Sequence, residues 1–245
     1  MKHFINIFTL SLAFSVSLAI APGFATGAQA GAPTTQASQR VNFKPPDVTA
    51  PGNRQAGGHR GVGVCSTGLS LTSLVPASNI GLTTQTSPTF FVYVPQTSAQ
   101  MEFILLTEKE DEVVYQTMFK ANNAGIVSVS LPQNTSNSLE VGKRYLWAVS
   151  MICDPSDRSA DVVVKGWVQR VKPAPMLLSE LQQKAEPRDR LKIYAENGLW
   201  YDTLSTLADL RRQAPNDVSL TADWTQLLKS QGLDTVAAQP LIQPQ

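Results

Sequence analysis

The sequence predicts a mainly β chain with an α-helical end, in which an antiparallel β-sandwich is followed by a small helical segment. Between residues 65 and 171, seven short runs rich in β-branched and aromatic residues alternate with turn residues, which is typical of antiparallel sandwiches. Beyond residue 173 the apolar residues recur at helical spacing instead. We therefore divide the chain into a signal peptide (1–30), a Gly/Pro-rich arm or linker (31–62), the sandwich (63–172), a helical segment packed on the sandwich (173–235) and a tail (236–245).

The N-terminal segment has the pattern of a cleavable export signal. Lys2 supplies a short positive region, residues 4–20 are mostly apolar, and residues 28–30 (Ala-Gln-Ala) form the small-x-small pattern that signal peptidase accepts. The alternative is a membrane anchor, but the apolar stretch lies at the lower limit of spanning length and no basic cluster follows it. We expect cleavage after Ala30 and a periplasmic or extracellular location.

The chain that remains after this cleavage carries no net charge. The full sequence has 20 lysines and arginines and 19 acidic residues, and the signal segment removes one lysine and no acid. A neutral chain has no overall field that attracts nucleic acid or anionic lipid. We therefore expect no nucleic-acid partner. After Ala30 no apolar run approaches spanning length, so we also expect no stable membrane insertion after cleavage.

The arm, residues 31–62, is rich in Gly, Pro, Ala, Thr and Gln and shows no apolar periodicity. Its GGHRG run at 57–61 raises the alternative of an anion site, since glycine amides bind anions. The run lacks the Lys-Ser ending of a phosphate-binding loop, and no strand pattern precedes it.

His59 is the one histidine left after cleavage, so we predict no multi-histidine metal site. We also predict no cofactor and no catalytic residue.

The chain contains two cysteines, Cys65 and Cys153. An even number of cysteines in an exported protein favours a disulfide bond, and the alternative is two unpaired buried thiols. We predict a bond between Cys65 and Cys153.

The sandwich is predicted from seven β-type runs separated by turn material such as Pro88, Pro95 and the segments EKED and ANNAG. In the sixth run, Tyr145, Trp147 and Val149 share one face, as alternation requires in a strand. The runs cover residues 69–75, 89–94, 101–107, 112–119, 126–131, 144–153 and 161–171.

The start of the sixth run, LEVGKRYLWAV at 139–149, resembles strand F of fibronectin type III and immunoglobulin-like (Ig-like) domains. In those families a tyrosine at the preceding corner is hydrogen-bonded back to the chain, and Tyr145 stands at the matching position. The resemblance implies an Ig-like type of sandwich.

The segment between the last two runs, DPSDRSA at 154–160, is crowded with aspartates. It has three interpretations: a turn, a calcium loop or an acidic active site. Calcium loops place a glycine at the sixth position and end in a glutamate, whereas Ser159 is sixth from Asp154 and no glutamate follows. Because Asp, Ser and Pro also favour turns, we predict a structural turn in which Asp157 and Asp161 do no chemistry.

Four helices are predicted in the helical segment, over residues 176–185, 187–197, 199–213 and 217–231. Pro187 suits a first helical position, Asp217 suits an N-cap, and Gly198 suits a C-terminal stop. The segment AENGLWYDTLSTLADLRRQAPND resembles part of a tetratricopeptide repeat, although Thr203 stands where that repeat has alanine. The resemblance implies at most one and a half degenerate repeats.

Four blocks of the sequence together are similar to a cyanobacterial family, domain of unknown function 928. The blocks are FKPPDVTAPGNRQAGGHRG, PTFFVYVP, ICDPSDRSADVVVKGWVQRV and AENGLWYDTLSTLADLRRQAPND. The resemblance implies an exported cyanobacterial protein. It brings no activity, ligand or functional residue with it.

The function that we predict first is that of an exported, non-enzymatic binding or scaffold protein of the cell envelope, with another envelope protein or a glycan as partner. The alternative is a carbohydrate-binding accessory module, because Trp167 would face outward on a regular last strand. Either a bulge at Gly166 would turn Trp167 inward, or the helices would cover it. We favour the cover by the helices, through Trp200 and Trp224.

A polysaccharide hydrolase that needs only two carboxylates is a further alternative. Its acid and base candidates are Glu108, Glu110, Asp111 and Glu112. They lie between two predicted strands, where a solvated hairpin tip is the simpler interpretation.

Overall fold

The structure is a computed structural model that describes residues 40–56, 65, 68, 70–133 and 136–244. The predicted signal peptide and His59 lie outside these residues. The described strands are β1 (Thr72–Ser73), β2 (Ile80–Thr83), β3 (Thr89–Val94), β4 (Gln100–Thr107), β5 (Val113–Phe119), β6 (Gly125–Ser130), β7 (Arg144–Ile152), β8 (Val162–Arg170) and β9 (Leu241–Ile242). The described helices are α1 (Pro175–Gln183), α2 (Pro187–Glu196), α3 (Trp200–Gln213) and α4 (Val218–Ser230), with two short 3-10 helices at Arg158–Ala160 and Asp234–Val236.

The strands form two sheets, as expected for a β-sandwich followed by helices. The four-stranded sheet has the order β1-β3-β6-β9 and the five-stranded sheet the order β2-β8-β7-β4-β5. The prediction of a purely antiparallel sandwich is wrong in two places, because β2 runs parallel to β8 and β9 runs parallel to β6. The sequence pattern did not reveal these two strands because they are only four and two residues long, too short to show an alternation of apolar and polar residues.

The space between the sheets is filled by aromatic rings. Phe90 on β3 lies 5.1 Å from Phe103 on β4 and 5.3 Å from Trp147 on β7, measured between ring centroids. Such tilted contacts stabilise a core beyond the area that they bury. As the alternation in the sixth run predicted, the side chain of Trp147 points into the space between the two sheets.

Helices α3 and α4 cover the other face of the four-stranded sheet. Since neighbouring residues of a strand point to opposite faces, Phe91 points away from Phe90 and packs edge-on against Trp224 of α4, with centroids 6.2 Å apart. Arg212 of α3 donates a hydrogen bond of 2.9 Å to the hydroxyl of Ser128 on β6. The end of α3 and helix α4 therefore lie on the outer face of the four-stranded sheet, while the start of α3 reaches between the two sheets, where Tyr201 packs on Phe90 and lies close to Gly81 of β2.

Residues 40–56, which we call the strap, run without regular structure over the helices and onto the five-stranded sheet. Phe43 is buried against Trp200, with ring centroids 5.1 Å apart. The N–H of Lys44 donates to the carbonyl of Ala195 at 3.0 Å, and Gln55 forms an isolated bridge with Thr72 of β1. The strap thus meets the helical layer and both sheets.

The predicted disulfide bond is confirmed. Cys65 and Cys153 are bonded, with their Cα atoms 5.4 Å apart and a sequence separation of 88. The bond connects the chain ahead of β1 to the residue that follows β7. Within the described residues, no helix is both long and apolar enough to cross a bilayer.

Candidate functional site

Trp167 is covered, but by a different part of the chain from the one that we expected. Its strand continues in regular register through Gly166 without a bulge, so the indole points to the outer face of the five-stranded sheet. There it packs with Ile80 and Leu146 under Val48 of the strap, and its Nε1 donates to the carbonyl of Pro51 at 2.9 Å. The strap, rather than the helices, leaves Trp167 only 8% exposed.

Trp200 and Trp224 are fully buried in the main core. The indole N–H of Trp200 donates to the carbonyl of Leu74 at 2.9 Å. The guanidinium of Arg211 lies 5.0 Å from the ring centroid of Trp224, in a cation–π contact. All three candidate tryptophans are therefore buried by other parts of the chain, and none of them presents a ring face on which a ligand could stack from the solvent.

Tyr201, which the sequence pattern did not single out, connects α3 with the five-stranded sheet. Its hydroxyl accepts a hydrogen bond from Nε1 of Trp147 at 2.7 Å and donates one to the carbonyl of Trp167 at 2.9 Å. Burial raises the pKa of Tyr201, so the hydroxyl stays neutral at physiological pH. This is a structural network rather than a reactive one.

Asp202 is a second buried polar residue that the sequence did not reveal. Its carboxylate accepts hydrogen bonds from the Thr84 hydroxyl at 2.6 Å and from the Gln85 side-chain amide at 3.3 Å. Burial raises the pKa of Asp202, against the effect of the hydrogen bonds from Thr84. Through these bonds the carboxylate ties α3 to the end of β2.

The aspartate-rich segment before β8 uses its carboxylates within the turn and toward β4. Asp157 caps the short 3-10 helix by accepting from the N–H of Ser159. Arg158 bridges Asp161 at 2.6 Å and Glu102 at 2.5 Å, and the hydrogen bond from Arg158 is the largest cause of the lowered pKa of Glu102. In the described part of the chain no three His, Cys, Asp or Glu side chains are grouped to hold a metal ion.

A cleft of about 650 Å³ lies between the β4–β5 hairpin and the segment that enters β7. This volume falls in the range of small-molecule pockets. Seven charged side chains line the cleft; the acids are Glu108, Asp111, Glu112 and Glu140, and the cations are Lys109, Lys143 and Arg144. We call this space the hairpin cleft.

The hairpin wall of the cleft contains three of the four carboxylates that the sequence put forward as acid and base candidates. The hydroxyl of Thr107 donates to Asp111 at 2.6 Å and thereby lowers the pKa of that carboxyl. Glu110 takes a left-handed backbone conformation at the tip, with φ of 61°, and its side chain pairs with Lys165 at 3.7 Å. The sequence cluster is therefore split, with Glu108, Asp111 and Glu112 lining the cleft and Glu110 pointing to β8.

The opposite wall is held by Tyr145, the tyrosine that the strand-F resemblance singled out. Its hydroxyl accepts a hydrogen bond from the N–H of Glu140 at 3.1 Å, which is a bond back to the chain of the kind that the resemblance implied. Lys143 pairs with Glu140 at 2.8 Å, and this hydrogen bond raises the pKa of Lys143. The corner between them turns at Gly142, whose φ of 86° suits glycine.

A smaller cavity of about 230 Å³ lies beside Arg54 and Gly232. The guanidinium of Arg54 donates to the carbonyl of Gln231 at 2.6 Å and to that of Val75 at 3.3 Å. A cation at the C-terminal end of a helix is stabilised by the helix dipole, and Gln231 is the C-cap of α4. Arg54 thus fastens the strap to α4, although burial lowers its pKa.

The family called Domain of Unknown Function (DUF928) matches residues 55–241, well over half of the 245 residues. The chain belongs to the DUF928 family. This finding confirms the family that four sequence blocks predicted, while the cyanobacterial source stays a prediction. No curated protein and no solved structure matches this DUF928 chain.

The hairpin cleft of this DUF928 protein carries charges of both signs on its two walls. A glycoside hydrolase needs one carboxylic acid whose pKa is raised, so that it can donate a proton. In the cleft, the pKa of Asp111 is moved in the opposite direction by Thr107. Carboxylates and cations that alternate around an open space suit a partner that carries charges of both signs.

Sequence reasoning found the hairpin half of the cleft and missed the other half. Glu140, Lys143 and Arg144 were not candidates, because they lie more than twenty positions from the hairpin in the sequence. The signal that could have found them is the tyrosine corner, since Tyr145 is bonded to Glu140.

Proposed function

We propose that this DUF928 protein is an exported, non-enzymatic binding or scaffold protein of the cell envelope, which holds a protein partner in the hairpin cleft. The observation that carries the proposal is the cleft itself, an open space with charges of both signs on its two walls. Charge patterns of this kind give specificity and speed of association to protein–protein contacts.

Export is supported by the N-terminal sequence and by the disulfide bond. Disulfide bonds persist in oxidising compartments and are rare in the cytosol, and Cys65 is bonded to Cys153.

The proposal includes a cyanobacterial source, on the strength of the family resemblance. It also includes an Ig-like type of sandwich, which the hydrogen bond between Tyr145 and Glu140 supports.

The proposed export is tested by N-terminal sequencing. A secreted form that begins at Gly31 would support cleavage of the signal peptide, and a protein beginning at Met1 would refute it.

The protein partner is favoured over the glycan by the positions of the aromatic side chains. Carbohydrate-binding modules stack sugars on exposed rings, whereas Trp167, Trp200 and Trp224 are buried. The aromatic residue in the cleft, Tyr145, is also buried and is bonded through its hydroxyl. The carbohydrate-binding alternative therefore lacks the support that an exposed tryptophan ring would give.

The test is a tagged pull-down from the envelope fraction, read by mass spectrometry, with a cleft variant and a charge-matched control. The cleft variant is Glu108→Gln, Asp111→Asn and Glu112→Gln. The control is Glu180→Gln, Glu186→Gln and Glu196→Gln, at three exposed positions in or beside α1 and α2. Both variants remove three exposed carboxylates, so their overall charge and their small effects on stability are alike.

We expect one recurrent protein that the unmodified chain and the control retain and that the cleft variant loses. Equal retention by all three chains would contradict the cleft as the site. Retention on purified envelope glycan, lost in the cleft variant, would replace the protein partner by a carbohydrate.

A further inference from the structure

Strand β5 is a free edge of the five-stranded sheet. It pairs with β4 on one side, and no described strand pairs with its other side. Its seven residues, VVYQTMF, carry no charge, and Val113 and Met118 are 50% and 41% exposed. Such an edge presents unpaired backbone N–H and C=O groups to any strand that approaches.

The three other sheet edges in the described chain are short or covered. Strands β1 and β9 have two residues each, and β1 already has a bridge to Gln55. Strand β2 has four residues, and the N–H of Thr84 directly after it already donates to the carboxylate of Asp202 on α3 at 3.2 Å. Proteins protect their edges by shortness, charge, proline or cover, and the seven residues of β5 have none of these protections.

We propose that β5 pairs in antiparallel fashion with β5 of a second copy of this chain. The residue before the strand is acidic, Glu112, and the residue after it is basic, Lys120, and both are exposed. A two-fold axis at Gln116 places Glu112 of each copy opposite Lys120 of the other, which gives two attractive charge pairs. A parallel pairing would place like charges together, which is unfavourable.

The two-fold arrangement also joins the uncharged parts of the strands. Val113 comes opposite Phe119, and Val114 comes opposite Met118. The ladder with β4 is continuous from Tyr115 to Phe119, and its irregularity lies at the start of the strand. The contact is isologous, so that it closes at two copies and leaves no free β5 edge for further growth.

The dimer brings a residue of the second copy to the hairpin cleft. Glu112 and Val113 line the cleft, so Lys120 of the second copy comes to its rim. The self-association does not depend on the proposed function, because a monomer can hold a partner in the cleft as well.

The test is sedimentation velocity of the full secreted chain over a concentration series, with charge-reversal variants. We expect a reversible dimer for the unmodified chain. Glu112→Lys and Lys120→Glu should each raise the dissociation constant about tenfold, since two symmetric exposed pairs change from attraction to repulsion. The double variant carries the same pairs with reversed sign and should return to within about threefold of the original constant.

Lys184→Glu, at an exposed position after α1, is the matched control and should leave the constant unchanged. A chain that stays monomeric up to about 100 µM, a weak affinity on the usual scale, would overturn the proposal. Dimers that ignore both reversals, or a double variant that stays as weak as the single ones, would overturn the β5 pairing as well. Loss of the dimer with retention of the envelope partner would leave the proposed function intact.

Discussion

Replacing Tyr201 by phenylalanine should destabilise the whole described fold. The hydroxyl of Tyr201 lies between two groups of the five-stranded sheet, the indole N–H of Trp147 and the main-chain carbonyl of Trp167. Tyr201→Phe removes this one oxygen and keeps the ring that packs 5.2 Å from Phe90. The change therefore deletes hydrogen bonds without opening a large cavity.

The size of the effect follows from the two groups that lose their partner. A buried donor or acceptor left without a hydrogen bond costs about 1–3 kcal/mol. Two such groups give a loss of about 2–6 kcal/mol, against a total stability of about 5–15 kcal/mol for ordinary domains. Tyr194→Phe is the matched control, because the hydroxyl of Tyr194 accepts a hydrogen bond from the exposed Arg190, and its loss should cost about 1 kcal/mol or less.

The assay is urea unfolding followed in parallel by tryptophan fluorescence and by far-ultraviolet circular dichroism. Because Tyr201 joins α3 to the sandwich, we expect both signals to shift together to a lower midpoint with an unchanged slope. A loss below about 0.5 kcal/mol, which is the usual effect of a surface substitution, would refute the role of the hydroxyl. Separate transitions for the two signals would refute the single cooperative unit.

Three further changes test other parts of the fold. Burial raises the pKa of Asp202 from its ordinary value of 3.8, so its contribution to stability is present at low pH and is lost as the pH rises through the folded pKa; Asp202→Asn should remove this dependence in urea titrations at several pH values. The Cys65–Cys153 bond closes a loop of 88 positions and should contribute at most about 4.6 kcal/mol, so Cys153→Ser should lower the melting temperature, and an unchanged value would contradict this. A chain that ends at Lys172 lacks the cover of Phe91 and should aggregate, whereas a soluble chain as stable as the whole would contradict the packing of the helices on the sandwich.

Local chemistry made the regular elements predictable. Pro187 begins α2, and Asp217 caps α4 by accepting from the N–H groups of Ser219 and Leu220. Gly198 and Gly232 follow helices with φ of 69° and 70°, the left-handed conformation that ends helices and favours glycine. Such signals depend on neighbours within a few residues, which the sequence displays directly.

The strap and the tyrosine network depend on distant partners, and the sequence hides them. Phe43 lies in a segment without periodicity, and it is buried because Trp200 stands opposite it. The same holds for Trp167: the sequence pattern predicts its outward orientation on a regular strand, but not its cover by Val48 and Pro51 of the strap. Half of the hairpin cleft was missed for the same reason, since Glu140 and Lys143 meet the hairpin only in the folded chain.

The most direct test of the proposed function is site-specific photo-crosslinking in the intact envelope. A photoreactive amino acid at Lys109, which lines the hairpin cleft, is compared with the same group at Val218, an exposed residue of α4. We expect one recurrent protein adduct from Lys109 that is absent from Val218 and is lost when Glu108, Asp111 and Glu112 are neutralised. The same adducts from both positions, or a recurrent adduct from Val218 alone, would contradict the cleft as the binding site.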